Sequence, residues 1–287
     1  MPRTTRLAFA LATTAALGAY ALFAVPAPAA GKNYKVVEVK DGGTIRGVVK
    51  VAEVPTLPKV SIFKDNDKGC GDKERATERL IAGDGGALAN AVVYLKSIDA
   101  GKDWPKEMSG EDRMGTIDQK ECRYAPHVQW VRKETQMAIV NSDRADHNIH
   151  AYKGSLADTQ FNISSAPGSK NEDTAAAFLE IPSIYIVKCD IHPWMSAFVF
   201  AVDHPYYAVT SATEKDGCKP GEFVLENVPP GTYTLVLWHE GMLETPVVAD
   251  GKIAAYSYSP DVTKEESVTV EAGKTVTKDF TIENPKK

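Results

Sequence analysis

The chain has 287 residues, enough for two domains that each bury a core. Its apolar and charged fractions, 43% and 25%, exclude a disordered or membrane-embedded chain. A formal net charge of −5 argues against nucleic acid, which selects basic patches, and is compatible with a basic partner protein.

The first 29 residues read as an export leader. Arg3 and Arg6 form a short positive region, residues 7–25 are nearly all apolar, and Ala27-Pro28-Ala29 has the A-x-A cleavage form. Cleavage is expected after Ala29. The competing reading is an uncleaved anchor, because the apolar run is almost long enough to span a bilayer. Arg3 and Arg6 are the leader's only charges, so its removal leaves a net charge of −7 and no integral membrane segment. The mature protein is then exported, and periplasmic in a Gram-negative cell.

Residues 35–50 carry a strand, a turn at Asp41-Gly42-Gly43 and an alternating strand from Thr44 to Lys50. Residues 54–59 bear prolines, and residues 65–79 are charged, a loop or short exposed helix. Leu88 to Leu95 reads as a strand, and residues 98–117 as a polar connector. Tyr124 to Val131 and Met137 to Val140 are strand-like, and residues 151–172 read as a polar loop. Ile184 to Lys188 and Ala197 to Val202 are β-branched or aromatic runs joined by a tight loop. Phe223 to Trp238 reads as a hairpin-like pair turning on Pro229-Pro230-Gly231, where proline presets φ and glycine can supply φ > 0. Ser267 to Val270 and Val276 to Ile282 are the last strands, around Glu271-Ala272-Gly273-Lys274. No stretch sustains a 3.6-residue apolar period, so the fold class is all-β.

The loop between Lys188 and Ala197 carries the chemistry. Cys189, His192 and Met195 are spaced by three, and a thiolate, an imidazole and a thioether form a soft set that suits copper. One loop cannot complete such a site. A second imidazole is available at His147, 42 residues before Cys189, after the Met137 to Val140 run. Two histidines, a cysteine and a weak axial methionine are the ligands of a blue-copper electron-transfer site.

His147-Asn148-Ile149-His150 together with Cys189-Asp190-Ile191-His192-Pro193-Trp194-Met195 resembles the cupredoxins, with a loop of the amicyanin form C-x-x-H-P-aromatic-M. The resemblance covers about residues 120–203. It implies an antiparallel Greek-key β-sandwich over residues 117–203 holding one type 1 copper ion. By position, His147, Cys189, His192 and Met195 would be the ligands, and Asn148 would tie the two ligand loops together. Pro193 and Trp194 would form an apolar rim, through which one edge of the His192 ring reaches solvent as an electron port.

The run Phe223-Val224-Leu225-Glu226-Asn227-Val228-Pro229-Pro230-Gly231-Thr232-Tyr233-Thr234-Leu235 resembles the carboxypeptidase-regulatory-like, transthyretin-like sandwich. In that family a glycine-bearing strand precedes it; here the matching strand, Gly43 to Val49, lies before the copper motifs. The whole chain resembles exported proteins labelled methylamine-utilisation proteins. The resulting expectation is a second sandwich from residues 30–116 and 204–287, with the cupredoxin inserted. The alternative is two independent terminal pieces, and the need to bury both faces of a sheet favours insertion.

Four cysteines are present. With Cys189 on copper, an oxidising compartment permits one disulfide among Cys70, Cys122 and Cys218. Cys70–Cys122 is favoured, since both lie in polar, turn-like surroundings ahead of the copper motifs; pairing with Cys218 is the alternative. His150 and His127 are expected to pack rather than ligate. His204 and His239 could join a second metal site, but no spacing demands it. With Met195 in the axial place no coordination position is open, which argues against an enzyme. The expectation is an exported carrier of electrons between redox partner proteins. The alternative is copper storage, delivery or scaffolding with a β-sandwich interaction module.

Overall fold

Alternation along one strand sets the first layer. In Gly43–Val51 every second residue is buried, so one face meets a core. It pairs antiparallel with Glu222–Val228 and parallel with Thr275–Thr277 and Phe280–Ile282. A facing sheet has the order Tyr207–Val209, Val92–Leu95, Gly231–His239, Val262–Val270. Ile45, Val49, Leu88, Leu95, Leu235, Leu237, Phe223 and Phe280 fill the space between them. These coordinates are a computed structural model, describing residues 34–283 except 55, 58, 60–69, 71–73, 75, 110–113, 172–181 and 250–251.

A second pair of sheets carries the cysteine and histidine motifs. A five-stranded sheet has the order Thr159–Ser165, His147–Lys153, Ser183–Lys188, Ser196–Val202, Val128–Arg132. A four-stranded sheet has the order Lys170–Asn171, Gln136–Asn141, Met114–Lys120, Arg123–Ala125. Ile117, Val131, Ile139, Ile149, Val187 and Val199 belong to the core between them. The architecture is all-β throughout, with two short 3-10 turns among the described residues. No helix among those residues is long and apolar enough to cross a membrane.

Ser196–Val202 joins the two pairs of sheets because its sequence is apolar on both faces. All seven of its residues are buried. Ala197, Val199 and Ala201 face the core beside the cysteine, while Phe198, Phe200 and Val202 belong to a third cluster with Val92, Tyr94, Val236 and Trp238. The Trp238 ring lies 5.0 Å from Phe198 and 4.9 Å from Phe200, both edge-on. Each such ring is worth about 1.5–3 kcal/mol in buried surface, so this layer is a strong fastening.

A buried ionic group sits at the same junction. Arg79, His127 and Glu240 are each less than a tenth exposed. Arg79 Nη1 lies 2.8 Å from Glu240 Oε2, an ion pair without hydrogen-bond alignment, and donates to the Gly241 carbonyl at 3.0 Å. His127 Nε2 meets the other Glu240 oxygen. Burial pushes the Glu240 carboxyl up, but Arg79 and His127 outweigh it and hold the pKa down at about 2. Burial likewise opposes a charged His127, and Glu240 overrides it, so His127 is raised. The Arg79 guanidinium stacks 3.3 Å from the Tyr258 ring centre, and Lys188 donates to the Tyr258 hydroxyl at 2.6 Å. His127 thus packs and pairs here rather than ligating.

Several local expectations change. Phe223 to Trp238 is no hairpin: Glu222–Val228 and Gly231–His239 lie in opposite sheets, and Pro229-Pro230 carries the chain across the sandwich. Proline has no N–H to donate, which suits a crossing better than a ladder. Tyr124 to Val131 splits into Arg123–Ala125 and Val128–Arg132 around the cis Ala125–Pro126 bond. Residues 151–172 are not all loop, since Thr159–Ser165 forms an edge strand on which Phe161 and Ile163 alternate toward the core. Glu244–Ala249 and Lys252–Tyr258 make a two-stranded ribbon that sequence patterning left unassigned. The leader over residues 1–29 and the run at 175–179 lie outside the described residues.

Candidate metal centre

The cysteine loop is held by the two strands it joins. Lys188 and Ser196 are paired across the ladder. Inside the loop, Met195 N–H donates to the His192 carbonyl at 2.9 Å and Cys189 N–H to the Met195 carbonyl at 3.4 Å. His147 opens the neighbouring strand rather than lying in a loop, and that strand pairs with Ser183–Lys188 at His150 and Lys188. Cys189, His192 and Met195 thereby share one end of a sheet with His147. All four are buried, at 2%, 2%, 0% and 1% exposure respectively.

Donor atoms converge there. His147 Nδ1 lies 2.8 Å from His192 Nδ1, and His192 Nδ1 lies 3.7 Å from Cys189 Sγ. Each separation is one that two ligands of a single ion can have. The donor set, two imidazoles and a buried cysteine beside them, has the chemistry that suits copper. Met195 is fully buried in the same core cluster as Cys189.

The other nitrogen of each imidazole also has a neighbour. His147 Nε2 lies 2.9 Å from Asp143 Oδ2, and that carboxylate accepts the Glu121 N–H at 2.6 Å and the Cys122 N–H at 2.8 Å. A proton on Nε2 leaves Nδ1 free to ligate, so Asp143 fixes the useful tautomer. Asn148 spans the two loops. Its Oδ1 accepts from Cys189 Sγ at 3.2 Å and from the Asp190 N–H at 2.8 Å. Its Nδ2 donates to Asn162 Oδ1 at 2.8 Å and Asp190 Oδ2 at 2.9 Å. His150 has the opposite parity on the strand from His147 and points elsewhere; its ring stacks on Tyr152 at 4.1 Å, and its Nδ1 lies 3.0 Å from Asp190 Oδ1. Burial raises the Cys189 thiol's pKa despite opposing hydrogen bonds, so the thiolate needs a cation beside it.

The port expectation is overturned. His192 is only 2% exposed, and its Nε2 lies 3.6 Å from Cys70 Sγ rather than at solvent. Cys70 is bonded to Cys122, with Cα atoms 5.4 Å apart, and this bridge lies against the ring. Trp194 is 8% exposed, its ring 5.0 Å from His192 and its indole N–H donating to the Cys122 carbonyl at 3.3 Å. Pro193 is half-buried. The apolar side chain that this loop does expose is Ile191, at 53%. Cys189 and Cys218 are free cysteines.

Two groups of donors among the described residues lie close enough to share an ion: Cys70 with His147 and His192, and Cys122 with Asp143 and His147. Cys189, His204 and His239 belong to neither; Cys189 approaches the pair through His192. Burial holds the His204 pKa down at about 4 among the rings of Tyr34, Tyr206 and Tyr207. Asp143 escaped the sequence reading, although its place four residues before His147 was visible. Asn162 escaped because its strand was read as loop.

No family model matches the sequence, and no curated protein does. Among solved structures, a copper-containing nitrite reductase from Thermus scotoductus SA-01 is 18% identical over 31% of this chain and 22% of its own, with a TM-score of 0.26. A purple cupredoxin from Nitrosopumilus maritimus is 19% identical over 31% of this chain and 99% of its own, with a TM-score of 0.25. A methionine-to-alanine mutant of amicyanin in the Cu(I) state is 16% identical over 38% of this chain and 98% of its own, with a TM-score of 0.24. At these scores, the reading of the site rests on its own side chains.

Proposed function

We propose that this chain is an exported, mononuclear type 1 copper protein that passes single electrons between redox partner proteins and is not itself an enzyme. The observation that carries the reading is the placement of His192 Nδ1 at the end of a sheet, 2.8 Å from His147 Nδ1 and 3.7 Å from the buried Cys189 Sγ. Bound copper would supply the one-electron couple. The chain's part is to keep the donors in place. Thiolate and thioether favour Cu(I) and imidazole suits Cu(II), so a mixed set on a rigid sandwich serves both states with little movement. Met195, buried in the same core cluster as Cys189, would supply the thioether, and the site would then hold copper with protein ligands alone. The copper unit spans residues 117–203, and the second sandwich, carboxypeptidase-regulatory-like in sequence, is its mount.

One observation favours copper storage or delivery instead: the buried His192 ring offers no edge to a docking partner. An absorption spectrum with a redox titration separates the two. An intense, reversible Cu(II)–thiolate band supports electron transfer. Tight Cu(I) binding without a stable Cu(II) form sinks it.

A further inference from the structure

We propose that the Cys70–Cys122 bridge is a thiol–disulfide switch on this centre: closed, it covers the far nitrogen of His192; opened by a dithiol reductant, it presents two sulfur donors to the same histidines and makes a Cu(I)-retaining site. The proposal rests on the copper reading above and adds donors to it.

Three placements carry the argument. Cys70 Sγ lies 3.6 Å from His192 Nε2. Cys70, His147 and His192 each offer a donor atom within 4.8 Å of the others, and so do Cys122, Asp143 and His147. Each sulfur is therefore within ligand reach of an imidazole, Cys70 on the Nε2 side of His192, so that the opened bridge and the histidines can together hold an ion on that side. In the disulfide these sulfurs are poor donors. As thiolates they are soft ligands that select Cu(I) over Cu(II). A purely structural cross-link needs no position against a ligand pair.

Access differs between the two sulfurs and sets the order of reaction. Cys70 is partly exposed, whereas Cys122 is 0% exposed. A thiolate of the dithiol attacks Cys70 Sγ and forms a mixed disulfide. The Cys70–Cys122 bond breaks, and its electron pair leaves on Cys122 Sγ, which takes a proton. The second thiol of the reductant then displaces Cys70, which takes the second proton. The reductant ends as its own disulfide, and two electrons and two protons have passed to the protein. Binding of Cu(I) displaces the thiol protons again.

The test uses the full-length oxidised protein and the same protein reduced with dithiothreitol, then desalted without oxygen. Thiol titration of the folded protein should gain two groups after reduction. Competition with a chromophoric Cu(I) chelator should show Cu(I) held at least about tenfold more tightly by the reduced form. In the Cys70→Ser, Cys122→Ser double variant, dithiothreitol pretreatment should leave Cu(I) affinity unchanged; the wild-type comparison stands without it if that variant does not fold. A bridge that stays closed until the protein unfolds overturns the switch, as does equal Cu(I) affinity in the two forms. Absence of a Cu(II)–thiolate band in the oxidised protein sinks the electron-transfer reading instead. A normal band with unaltered Cu(I) affinity removes the switch alone.

Discussion

Replacing Asn148 by alanine removes the link between the two ligand-bearing segments. The side chain is 6% exposed and makes four contacts, to Cys189 Sγ, the Asp190 N–H, Asn162 Oδ1 and Asp190 Oδ2. Neutral hydrogen bonds contribute about 1 kcal/mol each, and those to a charged group about 1.5–3 kcal/mol. The Asp190 side chain is 50% exposed, so water replaces part of its share. A loss of about 2–3 kcal/mol is expected, lowering the melting temperature by roughly 4–10 °C. Loss of an outer partner that orients ligands weakens metal by about 10–100-fold. Calorimetry of the metal-free protein and chelator competition of the loaded one measure the two effects separately. Stability within about 0.5 kcal/mol of wild type, with copper affinity within about threefold, would refute the claim that Asn148 holds the loops together.

Cys189→Ser should abolish a Cu(II)–thiolate band while leaving the far-ultraviolet circular dichroism of the sandwich intact; an unchanged spectrum contradicts its assignment as ligand. Met195→Leu should retain copper and raise the reduction potential, because a weak donor is lost, and voltammetry giving an unaltered potential denies the axial role. Glu240 has a pKa held near 2 against an ordinary 4.5, so its stabilisation is present above pH 4.5 and is lost as pH falls toward 2, at a ceiling of about 3 kcal/mol. His127 is raised above 6.5, so its share is present below that pH and fades as pH rises through its folded value. Glu240→Gln should cost about 3–5 kcal/mol at neutral pH by stranding Arg79, and should flatten the acid limb of a melting-temperature profile. An acid limb as steep as wild type's would show that the charge at this junction is not what acid attacks.

The candidate donors were legible because they are written in residue types at short range. Cys189, His192 and Met195 share one loop, and His147 follows a recognisable apolar run. The all-β class was legible for a similar reason, since period-2 alternation survives in Gly43–Val51 and a continuous apolar run in Ser196–Val202. What escaped depends on partners distant in sequence. Nothing local tells that Cys70, in a polar stretch, ends beside His192, 122 residues away. The apolar Pro193-Trp194 rim was read as exposed, yet Trp194 is buried and the Cys70 sulfur lies against the His192 ring. The Pro-Pro-Gly turn was read as a hairpin because the sequence marks a reversal but not which sheet receives the next strand.

Apart from a single bridge to Ala87, the ladder partners of Gly43–Val51 come late in the chain: Glu222–Val228, Thr275–Thr277 and Phe280–Ile282. During synthesis from the amino end, the ladder of this early strand waits for residues 222–282. The nine strands around the cysteine loop find their partners among themselves and can set first. A chain stopped before residue 222 would leave that edge bare, so the tail serves as the clasp that shuts what the head began.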